Sequence, residues 1–177
     1  MAMPNKPVAN DLVRGEAVIV ALGANDKGKR DSCLSGLEAA VAALKAAGLE
    51  ILGQSSWWRS AAWPDPNDPP FLNGVVVVKT ELSPKALMAE LSRIEDELGR
   101  VRSVRNAPRT LDLDLIAYGR VAGDLDGLLL PHPRAAERLF VMGPLAEVMP
   151  DWVHPVLNRP AEALARGATV GVDARPL

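Results

Sequence analysis

The ten residues from Thr110 to Gly119, TLDLDLIAYG, alternate between apolar and polar with period two. On an extended strand, residues i and i+2 share a face, so Leu111, Leu113 and Leu115 point one way and Asp112 and Asp114 the other. A helix would scatter both sets around its axis. The segment is therefore a strand with an apolar face on a core and an acidic face toward an open site.

Other runs fill in the order of elements. AVIVAL (17–22) is a short β-branched run ended by Gly23, a buried strand. Asp31 or Ser32 caps a helix over 33–47, closed by Gly48, and a second strand is expected around 49–59. WPDPNDPP (63–70) is a loop, and Phe71–Thr80 reads as a strand centred on VVVV. Ser83-Pro84 starts a helix running to Leu98 and stopping at Gly99. RVRSVRNAPR (100–109) is a basic loop feeding the alternating strand. A hairpin through GDLDG, the loop LPHPR, a short helix over 134–148 and a weakly structured tail beyond 160 complete the chain. The order β-α-β-β-α-β predicts an α+β, ferredoxin-like antiparallel sheet with packed helices and an extra C-terminal hairpin and helix region. The expected division is a loose tail over 1–15, one domain over 16–160 and a C-terminal tail over 161–177.

With 177 residues, 48% hydrophobic and 24% charged, the chain suits one globular domain and excludes disordered and collagen-like classes. A net charge of −2 argues against a dedicated nucleic-acid binder. No apolar run reaches membrane-spanning length and no secretory leader is evident, so a cytoplasmic protein with no membrane partner is expected. One cysteine, Cys33, and two histidines make neither a disulfide nor a Cys/His zinc framework.

Two carboxylates about 7 Å apart at Cα on one strand face repel unless a cation lies between them. Mg²⁺ is the natural candidate, because it takes oxygen ligands and binds through one or two carboxylates plus substrate phosphates. The bland alternative is a solvated acidic face. Upstream, Arg100, Arg102, Arg105 and Arg109 occur in a stretch with no acid, suited to bidentate capture of phosphate oxygens. Phe71 and Phe140 are the only phenylalanines; each is either core or one wall of a slot for a flat heteroaromatic ring. Asn73 shares the face of Phe71 and can bond a ligand edge. His132, between Pro131 and Pro133, is read as facing a ligand, and His154 as structural. There is no GxGxxG or Walker loop, so a nucleotide is bound by another device.

The stretches ALGAN (21–25), WWRSAAW (57–63), FLN (71–73), GRVRSVRNAPRTLDLDL (99–115) and PHPRAAERLFVMGPLAE (131–147) together resemble the 6-hydroxymethyl-7,8-dihydropterin pyrophosphokinases of folate biosynthesis. The resemblance spans residues 17–158. It implies transfer of a pyrophosphoryl group from ATP to the pterin hydroxymethyl oxygen with release of AMP. Two Mg²⁺ ions would be held by Asp112 and Asp114. Phe71 and Phe140 would sandwich the pterin, Asn73 would pair with its polar edge, and Ser60, Ala61 and Trp63 would lie in the loop covering it. Arg100, Arg102, Arg109, Arg138 and His132 would contact ATP phosphates, with Glu95 on the ATP side. Arg100, Arg102, Arg109 and the two aspartates would form the catalytic set, and 100–109 a lid over ATP.

The chain departs from the family pattern at three places. Arg105-Asn106-Ala107 stand where some members carry a tryptophan, and Pro133 where others carry tyrosine. The pterin loop reads Ser60-Ala61-Ala62-Trp63 in place of Thr/Ser-x-Pro-x. A monomer acting on small molecules, with no nucleic acid, is the expectation. Two rivals stand beside it: a two-metal nucleotidyltransferase, which would release pyrophosphate, and a non-catalytic ferredoxin-like module binding nucleic acid through the basic loop.

Overall fold

The computed structural model of the chain describes residues 16–25, 32–62, 65–99 and 111–177. The first apolar run forms β1 (Val18–Ala24), followed by α1 (Cys33–Ala46). Of the two candidate caps, Ser32 is seen in that role. Its hydroxyl accepts the Ser35 N–H at 3.1 Å, while the Ser35 hydroxyl lies 3.3 Å from the Ser32 N–H in return. The strand expected around 49–59 is two strands, β2 (Glu50–Gln54) and β3 (Trp58–Ser60). Ser55 makes the break: its hydroxyl accepts the Val75 N–H at 2.9 Å, a donor that the ladder would otherwise use. Then come β4 (Phe71–Lys79) and α2 (Pro84–Glu97), with Ser83 capping at Ala86 N–H, 3.2 Å.

The alternating segment is β5 (Asp112–Tyr118), and the GDLDG excursion is a hairpin of β6 (Gly123–Leu125) and β7 (Leu128–Leu130). Beyond it lie a 3-10 turn (Ala135–Glu137), α3 (Leu139–Val148), α4 (Ala161–Arg166) and β8 (Arg175–Pro176). The helix expected over 134–148 is thus broken at Arg138, whose backbone is extended at φ −99, ψ 114.

The strand order is β5-β1-β4-β3-β8, with β2 also paired to β4, and each named pairing is antiparallel. Counting β2 and β3 as one interrupted arm, this is the ferredoxin-like order expected from β-α-β-β-α-β. On one face, Val18, Val20, Leu22 and Leu113 pack against Leu37 and Leu44 of α1 and Leu91 and Ile94 of α2. On the other, Ile19, Val75 and Val77 pack against Met142 and Leu145 of α3 and Leu164 of α4. Alternation in β5 holds through Leu115. A bulge then resets it, because Ile19 faces Ala117 while Val20 faces Leu115, leaving Ile116 as the extra residue.

The segment past 160 differs from the expectation of a weakly structured tail. Ala161 and Leu164 are fully buried, Ala174 is buried, and β8 pairs with β3. Apolar residues that are few but well spaced dock it on the second core, a long-range arrangement with no local sequence signature.

Candidate active site

Asp112 and Asp114 are half-buried on β5, while Leu111, Leu113 and Leu115 are 1–2% exposed in the core beneath. Burying each leucine stabilises the strand by roughly 1.5–3 kcal/mol, which fixes the face the carboxylates must take. Among the described strands β5 is the terminal one of the sheet, with β1 on its inner side. Glu95 on α2 serves this strand. The residue is 3% exposed, and its carboxylate accepts the Leu113 N–H at 2.8 Å. The resemblance puts Glu95 on the ATP side. Here it is buried behind the aspartate strand and braces the backbone between the two carboxylates.

β1 lies next to β5, with Gly23 opposite both Asp112 and Asn73. A Cβ on Gly23 would stand 2.9 Å from Asn73 Oδ1, so only glycine leaves the asparagine room beside the aspartate strand. Asn73 is 8% exposed, and its Nδ2 donates to the Ser60 hydroxyl at 3.2 Å. Ser60 is the last residue of β3 and faces Phe71 across the ladder. Ser60, Phe71 and Asn73 thus share one end and one face of the sheet. Ala61 follows directly, and its N–H donates to Asp173 at 2.7 Å.

The third wall comes from the segment after the hairpin. The His132 N–H donates to the Ile116 carbonyl at 2.8 Å, which hangs the PHPR loop on β5. His132 Nδ1 accepts the Arg134 N–H at 3.2 Å, which puts the proton of the neutral ring on Nε2, a donor suited to phosphate. Burial lowers the His132 pKa below its ordinary value, with Arg138 and Arg134 adding to the shift. Burial also lowers Arg138, reinforced by Arg134 and opposed by Asp114, Glu137 and Asp112. Arg138 therefore lies within electrostatic reach of both aspartates, and its guanidinium carbon is 5.7 Å from the Phe140 ring centroid. Phe140 is half-buried on the first turn of α3, against the second core.

Arg100, Arg102, Arg105, Arg109 and Trp63 lie outside the described residues. Among the described residues, no group of three or more His, Cys, Asp or Glu side chains is arranged to hold a metal. Two carboxylates on one strand face remain an all-oxygen pair, the donor chemistry of a hard cation shared with phosphates. His154, read as structural, is 6% exposed, and its Nδ1 accepts the Val156 and Leu157 N–H groups at 3.2 and 3.0 Å.

The sequence reasoning missed two polar groups. Glu147 on α3 accepts the Ser56 N–H (2.9 Å), the Ser56 hydroxyl (2.7 Å) and Trp58 Nε1–H (2.6 Å), tying α3 to the start of β3. Asp173 anchors the pterin-loop candidate Ala61 from 112 residues away. Neither has a periodic or local signal in the chain.

The profile described as 7,8-dihydro-6-hydroxymethylpterin-pyrophosphokinase (HPPK) matches residues 19–150. A Synechocystis protein named 2-amino-4-hydroxy-6-hydroxymethyldihydropteridine pyrophosphokinase is 44% identical over 138 residues, covering 77% of this chain and 68% of the relative. A protein of the same name from Pseudomonas aeruginosa is 35% identical over 161 residues, covering 91% of this chain and 98% of the relative. Among solved structures, Plasmodium falciparum HPPK-DHPS with pteroate superposes with a TM-score of 0.68 at 14% identity. That match covers 93% of this chain but only 45% of the parasite chain, a likeness of fold. The chain belongs to the 7,8-dihydro-6-hydroxymethylpterin-pyrophosphokinase family, the enzymes of pyrophosphoryl transfer in folate biosynthesis.

Proposed function

We propose that this chain transfers the pyrophosphoryl group of ATP to the hydroxymethyl oxygen of 6-hydroxymethyl-7,8-dihydropterin and releases AMP. The observation that carries the reading is the convergence on one sheet end of the Asp112–Asp114 pair, Arg138 and the Ser60–Phe71–Asn73 group. The first three suit a polyphosphate held with a cation; the last suits a flat ring with a polar edge.

In the reaction, the hydroxymethyl oxygen forms a bond to the β-phosphorus of ATP. The bond from that phosphorus to the α,β-bridging oxygen breaks, AMP leaves with that oxygen, and the hydroxyl proton passes to solvent. The protein's contribution is position and charge. Asp112 and Asp114 would hold Mg²⁺, two ions in our reading. When bound, Mg²⁺ neutralises developing phosphate charge and acidifies the attacking hydroxyl. Arg138 and neutral His132 bind phosphate oxygens, joined by Arg100, Arg102 and Arg109 from the basic segment; Glu95 acts through the Leu113 backbone. Phe71 and Phe140 clamp the pterin, Asn73 reads its edge, and Ser60, Ala61 and Trp63 line the covering loop.

The reading treats the chain as a cytoplasmic monomer acting on small molecules, its catalytic unit over 16–160 joined by the docked segment 161–177. No described helix is long and apolar enough to cross a membrane. Both sheet faces are covered, one by α1 and α2 and the other by α3 and α4. At one end of the second face stand half-buried Asp112 and Asp114, an acidic surface that repels a nucleic-acid backbone and favours a small-molecule enzyme. Incubation with Mg-ATP and the reduced pterin alcohol, followed by chromatography, tests the proposal. AMP in a one-to-one ratio with pyrophosphorylated pterin supports it, and ATP left intact refutes it.

A further inference from the structure

We propose that the C-terminal arm, residues 169–177, is a working part of the pterin slot, setting affinity for the pterin while leaving ATP binding alone. The inference rests on the pterin reading of Phe140 and the Ser60–Ala61 loop. The arm begins beside the turn that carries Phe140. Thr169 and Val170 N–H donate to the Glu137 carbonyl at 3.0 and 2.9 Å, and Leu139 N–H donates to the Val170 carbonyl at 2.9 Å. Gly171 then passes against the Phe140 ring. A Cβ there would lie 2.4 Å from Phe140 Cδ1, and φ is +65°, so both the ring and the backbone call for glycine.

Two residues on, the arm reaches the opposite wall. β3 ends at Ser60, so the Ala61 N–H has no place in the β3–β4 ladder, and Asp173 Oδ2 supplies its acceptor at 2.7 Å. This is a charge-assisted bond to the loop that would cover the pterin. Ala174 is buried, Arg175 and Pro176 pair with Arg59 and Trp58, and Leu177 N–H donates to the Trp57 carbonyl at 2.9 Å. One short segment therefore spans from the Phe140 wall to the Ser60–Ala61 wall. On the nucleotide side the arm meets only backbone, where Val170 pairs beside Arg138; from Gly171 onward its bonds and close approaches go to Phe140 and to residues 57–61. Asp173 is a positioning residue, acting through the Ala61 backbone, and Gly171 positions Phe140.

The test uses full-length Asp173→Ala, Asp173→Asn and Gly171→Ala, with KM for pterin, KM for ATP, kcat and melting temperature measured for each. Losing one charge-assisted bond to a backbone amide predicts that Asp173→Ala raises the pterin KM about five- to tenfold. Its KM for ATP and its melting temperature should stay near wild type. Asp173→Asn, which keeps an acceptor, should recover most of the loss, and Gly171→Ala should raise the pterin KM further. Equal rises for both substrates, or a lower melting temperature with no selective change in pterin KM, would overturn the arm's role alone. A wild-type chain that fails to pyrophosphorylate the pterin would overturn the pterin reading and the arm's role with it.

Discussion

The Glu95 carboxylate accepts the backbone N–H of Leu113 at 2.8 Å, and Leu113 is the residue between the two aspartates. One buried side chain on α2 thus sets the height and tilt of the strand that presents both carboxylates. Glu95→Ala removes the acceptor and leaves a buried N–H unpaired, a cost of about 1–3 kcal/mol. We expect reduced stability and a fall in kcat larger than any rise in KM for ATP. Glu95→Gln keeps an acceptor oxygen and should recover much of both. Urea denaturation with steady-state kinetics on the pair checks this; equal losses in the two variants would mean that the charge matters and the bond to Leu113 does not.

Asp112→Ala and Asp114→Ala should each abolish most turnover while the fold stays intact. The leucines beneath are untouched, and relief of repulsion between two like charges is offset by lost attraction to Arg138, so the melting temperature is expected to change little. Near-normal turnover of either variant at saturating Mg²⁺ would show that its carboxylate is not an essential ligand.

Much of this was legible because it is local. Period two in LDLDL, the Ser83-Pro84 start of α2 and the β-branched run of β1 each declare themselves within a few residues. The two polar ties of the site do not. Glu147 meets Ser56 and Trp58 from 91 and 89 residues away, and Asp173 meets Ala61 from 112. Such contacts exist only once the sheet has formed, so no spacing rule finds them. The docking of the C-terminal segment escaped notice for the same reason: Ala161, Leu164 and Ala174 are too sparse to show a period, yet each is buried. The bulge at Ile116 is likewise a product of pairing, set by Ile19 and Val20 on the neighbouring strand.

Phe140→Ala should weaken pterin binding by about 1–3 kcal/mol, the range for one lost base-stacking contact. Nucleotide affinity should change far less. Calorimetric titration with pterin and with an ATP analogue separates the two. Equal losses, or a collapse of thermal stability, would mean that the ring serves the core beside Val141 and not the slot.

Acid should weaken the fold through its histidines. Burial holds the His154 imidazole below its ordinary pKa, with Arg120 reinforcing the shift, and burial with Arg138 does the same at His132. The unfolded chain binds these protons near pH 6.5, while the folded chain resists them until lower pH. The contribution is therefore complete above about pH 6.5 and is lost as the pH falls through the window beneath it. Protonated His154 also loses its acceptor role toward Val156 and Leu157. Melting temperatures measured between pH 7.5 and 5 (a range bracketing the ordinary histidine pKa) should fall more steeply for wild type than for His154→Asn. Parallel curves would contradict this.

Attack at the β-phosphorus of ATP can be followed by carrying a label through the reaction. ATP labelled at the α-phosphorus and ATP labelled at the β-phosphorus are each incubated with Mg²⁺ and 6-hydroxymethyl-7,8-dihydropterin, and the products are separated. The β label should move to the pterin while the α label stays in AMP. An α label on the pterin, with free pyrophosphate released, would contradict attack at the β-phosphorus and make the chain a nucleotidyltransferase.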